Sequence, residues 1–241
     1  MRSLLLALLL VSPALAADEV VLFDGDDLSA WEGDETYWRV EDGAIVGETT
    51  AENPLDQNTF LIYRGDDGEA EFGDFVLTFE YQVSGFNSGI QYRSEDISEG
   101  DRFNMKGLQA DFEAQWHDDG TADKFSGMFF EENGRMFMGQ RGQAVVVRSG
   151  EGDEPEIDVV GSLGDAAELE KAIDRDGWNR YRIIADGHTF THIINDRVMS
   201  VAFDEDTANR RDTGLIGLQL HGGRPMKIMV RDIVLRPLHG E

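Results

Sequence analysis

Alternation of apolar and polar residues at every second position is the pattern that most constrains this sequence. From Phe75 to Val83 every second side chain is apolar: Phe75, Leu77, Phe79, Tyr81 and Val83. Successive side chains of a strand point to opposite faces, so this spacing predicts a strand with one buried face. A chain that repeats the pattern buries those faces by stacking sheets, which favours an all-β fold.

Glycine-containing turns separate further strand-like segments. Asp42-Gly43, Asn133-Gly134 and Asp186-Gly187 each lie between two of them, and glycine tolerates the positive φ of tight hairpin turns. The segments amount to about a dozen antiparallel strands at the turn spacing of a sandwich. The predicted segments are 38–46, 75–83, 88–93, 128–138, 143–148, 178–185, 188–194, 198–203, 214–220 and 226–238. We therefore predict a single jelly-roll β-sandwich domain over residues 17–241.

Two segments depart from the strand pattern. Asp165 to Ile173 begins with a favourable N-cap residue and continues with good helix formers, which predicts one short surface helix. The acidic segment from Glu151 to Asp158 just before it predicts a mobile loop.

The N-terminus is organised like a secretory signal peptide. Arg2 precedes a leucine-rich run, and Ala14-Leu15-Ala16 forms an A-x-A cleavage site, so residues 1–16 are predicted to be removed. The apolar run is too short to span a membrane. With 0 cysteines, the chain has neither a lipoprotein anchor nor a disulfide framework. We expect a periplasmic or secreted protein.

The chain is strongly acidic. It has 48 Asp and Glu residues against 21 Lys and Arg residues, for a formal net charge of −27. This charge repels nucleic acid and anionic lipid, so neither a nucleic acid nor a membrane is an expected partner. It suits a neutral substrate, a cation or simply a saline habitat, and it leaves the oligomeric state undetermined.

The clearest candidate for a functional strand lies between residues 105 and 135. Gln109, Asp111 and Glu113 alternate there with apolar residues. If residues 108–112 form a strand, the three polar side chains share one face and the apolar residues share the other. A substrate-facing strand of a β-sandwich has this pattern, and so does an ordinary half-exposed strand of an acidic protein.

Short phrases follow one another along the chain in a characteristic order. They are Leu22-Phe23-Asp24-Gly25 with Leu28-Ser29-Ala30-Trp31, Trp38 to Gly43, Asp74-Phe75, Asn87-Ser88-Gly89-Ile90 with Arg93, Gly107 to Asp111, Glu131 to Arg135, Trp178-Asn179, Gly217 to His221, and Arg231-Asp232-Ile233 with Leu238. In this order they resemble the 3-keto-disaccharide hydrolase family from about Val21 to Leu238. The resemblance implies a concanavalin A-like lectin/glucanase sandwich. It also implies cleavage of 3-keto-glycosides, by hydrolysis or by β-elimination and hydration through a 2-hydroxy-glucal intermediate.

The sequence departs from the family pattern at three places. Leu108 stands where the family often has tyrosine, and Phe130-Glu131-Glu132 replaces its Tyr-Asp-Glu phrase. The insert 113–124 is unusually acidic. These departures leave the substrate and the choice between hydrolase, lyase and hydratase open.

The chemistry of such substrates determines which residues to look for. A ketone at C3 acidifies the hydrogen on C2, and removal of that proton lets the group on C1 leave by β-elimination. This reaction needs a base with a tuned pKa, a donor for the enolate oxygen and an acid for the leaving oxygen. It does not need the paired carboxylates of ordinary glycosidases.

Four residues are candidates for the catalytic groups: Asp111, His221, Glu132 and Glu113. Asp111 is the first choice for an acid, base or metal-binding carboxylate, with a solvated strand acid as the alternative. The imidazole of His221 could be a base or a ligand, or His221 could be a histidine that caps a strand. His192 alternates with apolar residues and is interpreted as structural.

Five residues are candidates for substrate binding: Arg93, Gln109, Arg135, Gln219 and Trp116. The arginines could polarise a carbonyl or clamp sugar oxygens, although Arg93 could equally form an ion pair inside the sandwich. The glutamines could bind sugar hydroxyls. Trp116 could stack on a sugar ring or be an exposed loop aromatic.

A metal is left unassigned. Asp118, Asp119 and Asp123 offer the oxygen ligands that calcium prefers, so a divalent metal such as calcium could bind, although EF-hand spacing is absent. No other cofactor is expected.

Two alternatives to a 3-keto-glycoside enzyme remain. A retaining glucanase of this fold would have a glutamate where this chain has Gln109, and an amide cannot be the nucleophile. A non-catalytic carbohydrate-binding module would bind sugar through aromatics and amides, and it would tolerate the loss of Asp111 or His221.

Overall fold

The computed structural model describes residues 19–114, 124–150 and 154–238. The predicted signal peptide and Trp116 lie outside these ranges, as do Asp118, Asp119 and Asp123. The predictions made for them therefore stay predictions.

Strands dominate the described residues. In chain order they are β1 (Val20–Phe23), β2 (Trp31–Glu32), β3 (Trp38–Glu41), β4 (Ala44–Thr49), β5 (Thr59–Tyr63), β6 (Phe75–Ser84), β7 (Asn87–Asp96), β8 (Met105–Glu113), β9 (Phe129–Glu132), β10 (Met136–Gly139), β11 (Gln143–Ser149), β12 (Pro155–Ser162), β13 (Asn179–Asp186), β14 (Thr189–Ile194), β15 (Arg197–Asp204), β16 (Leu215–Leu220) and β17 (Met226–Pro237). The helix α1 (Ala166–Glu170) lies between β12 and β13.

The strands form two sheets that pack face to face as a β-sandwich. The larger sheet has the order β12-β11-β15-β14-β13-β6-β17-β4-β3, with β1 paired to β17. The smaller sheet has the order β10-β9-β8-β7-β16-β5-β2. The all-β sandwich is confirmed, with 17 described strands rather than about a dozen. Among the described residues one pairing departs from the antiparallel pattern, because β11 runs parallel to β15.

Strand β12 corrects one prediction. Residues 155–158 were expected in a loop, but they begin β12, which pairs with β11 along its whole length. This strand is the edge of the larger sheet, and most of its residues are exposed. Because neither face is buried, no alternation marks the strand in the sequence.

The short helix is confirmed at the surface. The carboxylate of Asp165 accepts hydrogen bonds from the backbone N–H groups of Ala167 and Glu168, and the helix has no buried residue. Within the described part of the chain, no helix has the length and apolar character needed to cross a membrane.

Aromatic packing between the sheets fixes which way β8 faces. Four apolar residues of β6 are buried, and one of them, Tyr81, stacks its ring on Phe112 of β8 with centroids 4.3 Å apart. Burying a side chain the size of Phe112 stabilises the fold by about 1.5–3 kcal/mol. Because Phe112 and Ala110 face the core, Gln109 and Asp111 face away from it.

Candidate functional site

A cavity of about 330 Å³ lies on the face of the smaller sheet that is turned away from the core. Its volume is at the lower end of the roughly 300–1,000 Å³ of small-molecule sites. Strands β7, β8, β9, β10 and β16 supply most of its wall. The lining residues are Asn58, Phe86, Asn87, Gln109, Asp111, Phe125, Phe130, Glu132, Met136, Phe137, Gln219 and His221. Five of the nine predicted site residues therefore meet here: Gln109, Asp111, Glu132, Gln219 and His221.

Strand β8 places Gln109 and Asp111 side by side. The amide nitrogen of Gln109 donates to Asp111 Oδ1 over 2.6 Å. Gly89 of β7 lies opposite Asp111 in the sheet, and a Cβ at Gly89 would come within 2.5 Å of Gln109 Cγ. The glycine therefore makes room for the Gln109 side chain.

Three glutamines form a chain of hydrogen-bonded amides, here called the glutamine relay: Gln109 and Gln219 line the cavity, and Gln91 lies behind them. The hydroxyl of Ser94 donates to Gln91 Oε1 (2.7 Å), and Gln91 Nε2 donates to Gln109 Oε1 (2.6 Å). Gln109 Nε2 then faces both Asp111 and Gln219 Oε1, the latter at 3.4 Å. Since each amide has distinct donor and acceptor ends, this order fixes the orientation of all three.

The relay ends at Glu132 of β9. Gln219 Nε2 donates to Glu132 Oε2 over 2.9 Å, and Asn58 Nδ2 donates to Glu132 Oε1 over 3.2 Å. Burial raises the pKa of Glu132, and the hydrogen bonds from Asn58 and Gln219 offset only part of the rise. The second N–H of Gln219 has no acceptor among the described residues.

His221 follows β16 and completes the polar wall. Its Nδ1 lies 2.7 Å from the carbonyl oxygen of Gly222, so Nδ1 carries the donated hydrogen and Nε2 keeps a lone pair in the neutral ring. The ring meets Phe86 edge-on with centroids 4.5 Å apart. Asn58 Oδ1 accepts from the N–H of Gly222 (3.1 Å), so one amide ties the His221 turn to Glu132.

One polar atom in this wall has no protein partner. Asn87 Oδ1 is buried, and none of the described residues donates a hydrogen bond to it. A buried acceptor left unbonded costs free energy, and a bound ligand with a hydroxyl group would remove that cost.

Apolar residues form the opposite wall. Phe137 lies 5.1 Å from Phe130 and 6.2 Å from Phe125 between ring centroids. Met136 and Phe86 extend this wall. Sequence reasoning missed it, together with Asn58, because the apolar residues of 125–137 resemble ordinary core residues and Asn58 belongs to no recognisable motif.

Arg93 lies elsewhere, as a structural residue between the sheets. Its guanidinium donates to the carbonyl oxygens of Gly73 (3.0 Å) and Gly187 (2.6 Å) and to Asp74 Oδ1 (2.6 Å), and it covers the ring of Phe190. A bulge in β7, with φ of 46° at Arg93, turns the side chain inwards. Arg93 therefore forms the ion pair inside the sandwich that was the alternative, and not the expected sugar contact.

Arg135 is also held away from the cavity. Its guanidinium makes a two-point contact with Asp204 (2.8 and 2.8 Å), and it also contacts Glu131 and Asp206. Glu131 and Glu132 are consecutive strand residues and point to opposite sides, so one binds Arg135 and the other lines the cavity. Arg135 therefore binds carboxylates of the fold rather than the expected sugar oxygens.

Glu113 is buried at the end of β8 and does not line the cavity. Its Oε1 accepts the backbone N–H of Lys124 over 2.5 Å, and its own N–H donates to Ser126 Oγ. Its contacts are thus with Lys124 and Ser126, and it does not take the expected catalytic position in the cavity.

His192 is buried in the core, in agreement with its structural interpretation. Its Nδ1 and Nε2 lie 2.9 Å from the Met128 carbonyl oxygen and the Tyr92 hydroxyl. Burial lowers the pKa of His192 to about 4. Within residues 19–114, 124–150 and 154–238, no group of three or more His, Cys, Asp and Glu residues is arranged to hold a metal.

Solved structures share this fold at low sequence identity. A predicted glycosyl hydrolase from Parabacteroides distasonis ATCC 8503 aligns with a TM-score of 0.56 and 15% identity, over 92% of this chain and 100% of that one. A Bacillus subtilis protein of unknown function with a galectin-like fold gives 0.56 and 12%, over 92% and 96%. Laminarinase from Flavobacterium sp. UMI-01 gives 0.51 and 10%, over 92% and 99%. These likenesses establish the jelly-roll fold.

No curated protein matches the sequence. The sequence pattern of the 3-keto-alpha-glucoside-1,2-lyase-like domain, in contrast, matches residues 18–236, nearly the whole chain. This match confirms the resemblance that the ordered phrases indicated. The protein belongs to the 3-keto-alpha-glucoside-1,2-lyase-like family and is accordingly a carbohydrate-active protein.

Proposed function

We propose that this protein is an enzyme that cleaves 3-keto-glycosides by β-elimination, with water adding to the resulting glycal in a second step. The observation that carries the proposal is the pairing of Glu132 and His221 in one small cavity. Burial makes Glu132 a stronger base than an ordinary glutamate, and His221 keeps Nε2 for proton transfer. If residues 1–16 direct export, the reaction takes place in the periplasm or the medium.

In the proposed reaction Glu132 removes the C2 proton of the bound sugar. The electron pair moves to the C3 oxygen, and the enolate then expels the C1 group to form a C1–C2 double bond conjugated with the ketone. The second N–H of Gln219 is the proposed donor for the enolate oxygen. For this step His221 enters the reaction as the imidazolium, with a proton on Nε2 as well as on Nδ1. It delivers the Nε2 proton to the leaving oxygen and regains one from solvent, while Glu132 releases the C2 proton to solvent. Asn87 Oδ1 accepts a hydrogen bond from a sugar hydroxyl.

Asp111 keeps a place in this proposal. Its carboxylate lies in the same wall and is linked to Glu132 through Gln109 and Gln219. We assign it to holding a sugar hydroxyl near C2, with removal of the C2 proton as its alternative role.

The geometry at Gln109 argues against a double-displacement glucanase. Both ends of its amide are occupied, by Gln91 on the oxygen side and by Asp111 on the nitrogen side. An amide held in this way cannot form a glycosyl-enzyme bond. Elimination requires no such bond, so it fits this wall better.

The experiment incubates purified protein with 3-keto-glucosides and, in parallel, with the same glucosides unoxidised. Aglycone release and glycal formation are followed over time. The proposal expects turnover of the keto sugars alone, with the glycal appearing before or together with the free 3-keto sugar.

Other outcomes have defined meanings. Turnover of the unoxidised glucosides would identify an ordinary glycosidase, the class to which glucanases belong. Sugar binding without turnover of either set would identify a carbohydrate-binding module. Both results would contradict the proposal.

A further inference from the structure

The cavity has two chemically different walls, and the apolar one has no role in the reaction proposed above. Phe125, Phe130, Met136 and Phe137 form this wall, here called the aromatic platform. Phe137 is 54% exposed and Met136 is 46% exposed, although both are large apolar residues. Exposed apolar residues that cluster beside a cavity favour a ligand-binding role.

The backbone of β10 is distorted in a way that creates this exposure. Met136 has φ of 62°, a conformation that costs a residue with a side chain about 1–3 kcal/mol, and the register shifts between Phe137 and Gly139. Consecutive strand residues normally face opposite sides, yet Met136 and Phe137 both line the cavity. A strained residue that turns two apolar side chains towards a cavity indicates selection for a contact there.

The two walls differ in the way that the two parts of a glycoside, the sugar and the group attached to it, can differ. A sugar ring carries hydroxyl groups that need partners, and these partners lie on the wall of Asn87, Gln109, Glu132 and Gln219. The aromatic platform offers no side-chain hydrogen-bond donor or acceptor. A second sugar stacked there would gain apolar contact alone, and any hydroxyl group turned towards the platform would lose its hydrogen bonds to water. An aromatic ring would lose none and would stack on Phe137.

We propose that the aromatic platform is a subsite for an uncharged aromatic leaving group, so that the substrates are 3-keto-glucosides of phenol-like aglycones. The two carboxylates of the cavity and the net charge of −27 disfavour an anionic aglycone. The inference rests on the proposed function in one respect, that the sugar is a 3-keto sugar. The affinity for the aromatic group does not depend on turnover.

The experiment measures the affinities of phenyl glucoside and methyl glucoside, both unoxidised so that no elimination occurs, by titration calorimetry. For the unmodified protein we expect phenyl glucoside to bind at least about tenfold more tightly, as burial of an aromatic ring implies. In Phe137→Ala the ratio of the two dissociation constants falls towards one. Val160→Ala, which alters an exposed apolar residue of β12 in the other sheet, keeps the ratio of the unmodified protein.

Three results would overturn the subsite. Equal affinities in the unmodified protein, or no measurable binding of phenyl glucoside, would show that the platform does not take an aromatic group. An equal loss of both affinities in Phe137→Ala would show that the platform holds the sugar itself. If neither keto sugar is turned over but the phenyl preference depends on Phe137, the proposed function fails and the subsite stands.

Discussion

Among single residues, Glu132 rather than Asp111 is the proposed base that removes the C2 proton. Asp111 attracted attention because it lies in an alternating polar row. Glu132 differs from it in having a pKa that burial raises, while two amides hold its carboxylate in place. Mutation can therefore distinguish a base with a raised pKa, proposed for Glu132, from a carboxylate that only holds the sugar, proposed for Asp111.

Glu132→Gln is expected to lower kcat by about 10²–10⁴-fold, because it removes the proton acceptor while keeping the shape of the side chain. Asp111→Asn keeps a hydroxyl-binding group and is expected to lower kcat/KM by roughly tenfold only. Steady-state kinetics on a 3-keto-glucoside measures both. The reverse order of effects would assign proton removal to Asp111.

His192 makes the stability of the fold depend on pH. Its pKa is about 4 in the folded protein, below the ordinary value of 6.5, so the unfolded chain binds a proton more readily. Stability is therefore complete above about pH 6.5 and falls as the pH drops towards 4. The full loss is about 3 kcal/mol, since each pKa unit corresponds to about 1.4 kcal/mol.

The measurement is the free energy of unfolding in urea between pH 7 and pH 4.5. His192→Gln is expected to flatten the decline relative to the unmodified protein. His188→Gln, at an exposed position, is the control and is expected to keep it. Equal slopes for the unmodified protein and His192→Gln would show that this histidine does not contribute.

At the element scale, β7, β8, β9 and β16 act together through the glutamine relay. Ser94 and Gln91 lie behind the cavity and touch none of the proposed reacting atoms, yet they determine which end of Gln109 faces Asp111. We assign Gln91 to positioning: it orients the amides that in turn hold the two carboxylates.

Gln91→Met keeps the side-chain length and removes both relay hydrogen bonds. We expect kcat/KM to fall about tenfold because Gln109 is free to flip, and unfolding free energy to fall by about 1–3 kcal/mol. If Gln91 is purely structural, the variant loses stability but keeps the pH profile of kcat/KM. If Gln91 positions the amides, the variant also shifts this profile, because the hydrogen bonds to the Glu132 carboxylate change. Gln82→Met on β6, remote from the cavity, is the matched control.

Individual elements show what the sequence could predict. The alternation in β6 and the Asp42-Gly43 turn, with φ of 52° and 71°, were readable because one face is buried and the turn demands positive φ. Strand β5 is buried at every residue and carries no alternation, so it was missed. The inward turn of Arg93 arises from a bulge, and the aromatic platform from the φ of Met136; neither leaves a local sequence signal.

In the molecule as a whole, the residues that stabilise the sandwich lie apart from those of the candidate site. The buried faces of the two sheets form one large core, while the outer face of the smaller sheet supports the cavity. Polar residues of β8 could therefore be predicted to lie together, because the core fixes their direction. Asn58 and Phe137, which line the same cavity, come from other segments that only the folded chain brings together.

The central claim is that the C2 hydrogen of a 3-keto-glucoside is removed during cleavage. The direct measurement runs the reaction in deuterated water, stops it at early times and analyses C2 of the released 3-keto sugar by NMR, with an enzyme-free control for spontaneous exchange. Elimination followed by hydration predicts deuterium at C2 of the sugar released by the enzyme, because the proton taken by Glu132 exchanges with solvent before water adds. Glu132→Gln is expected to release this product at least about 10²-fold more slowly. Aglycone release with the original hydrogen retained at C2 would contradict the account.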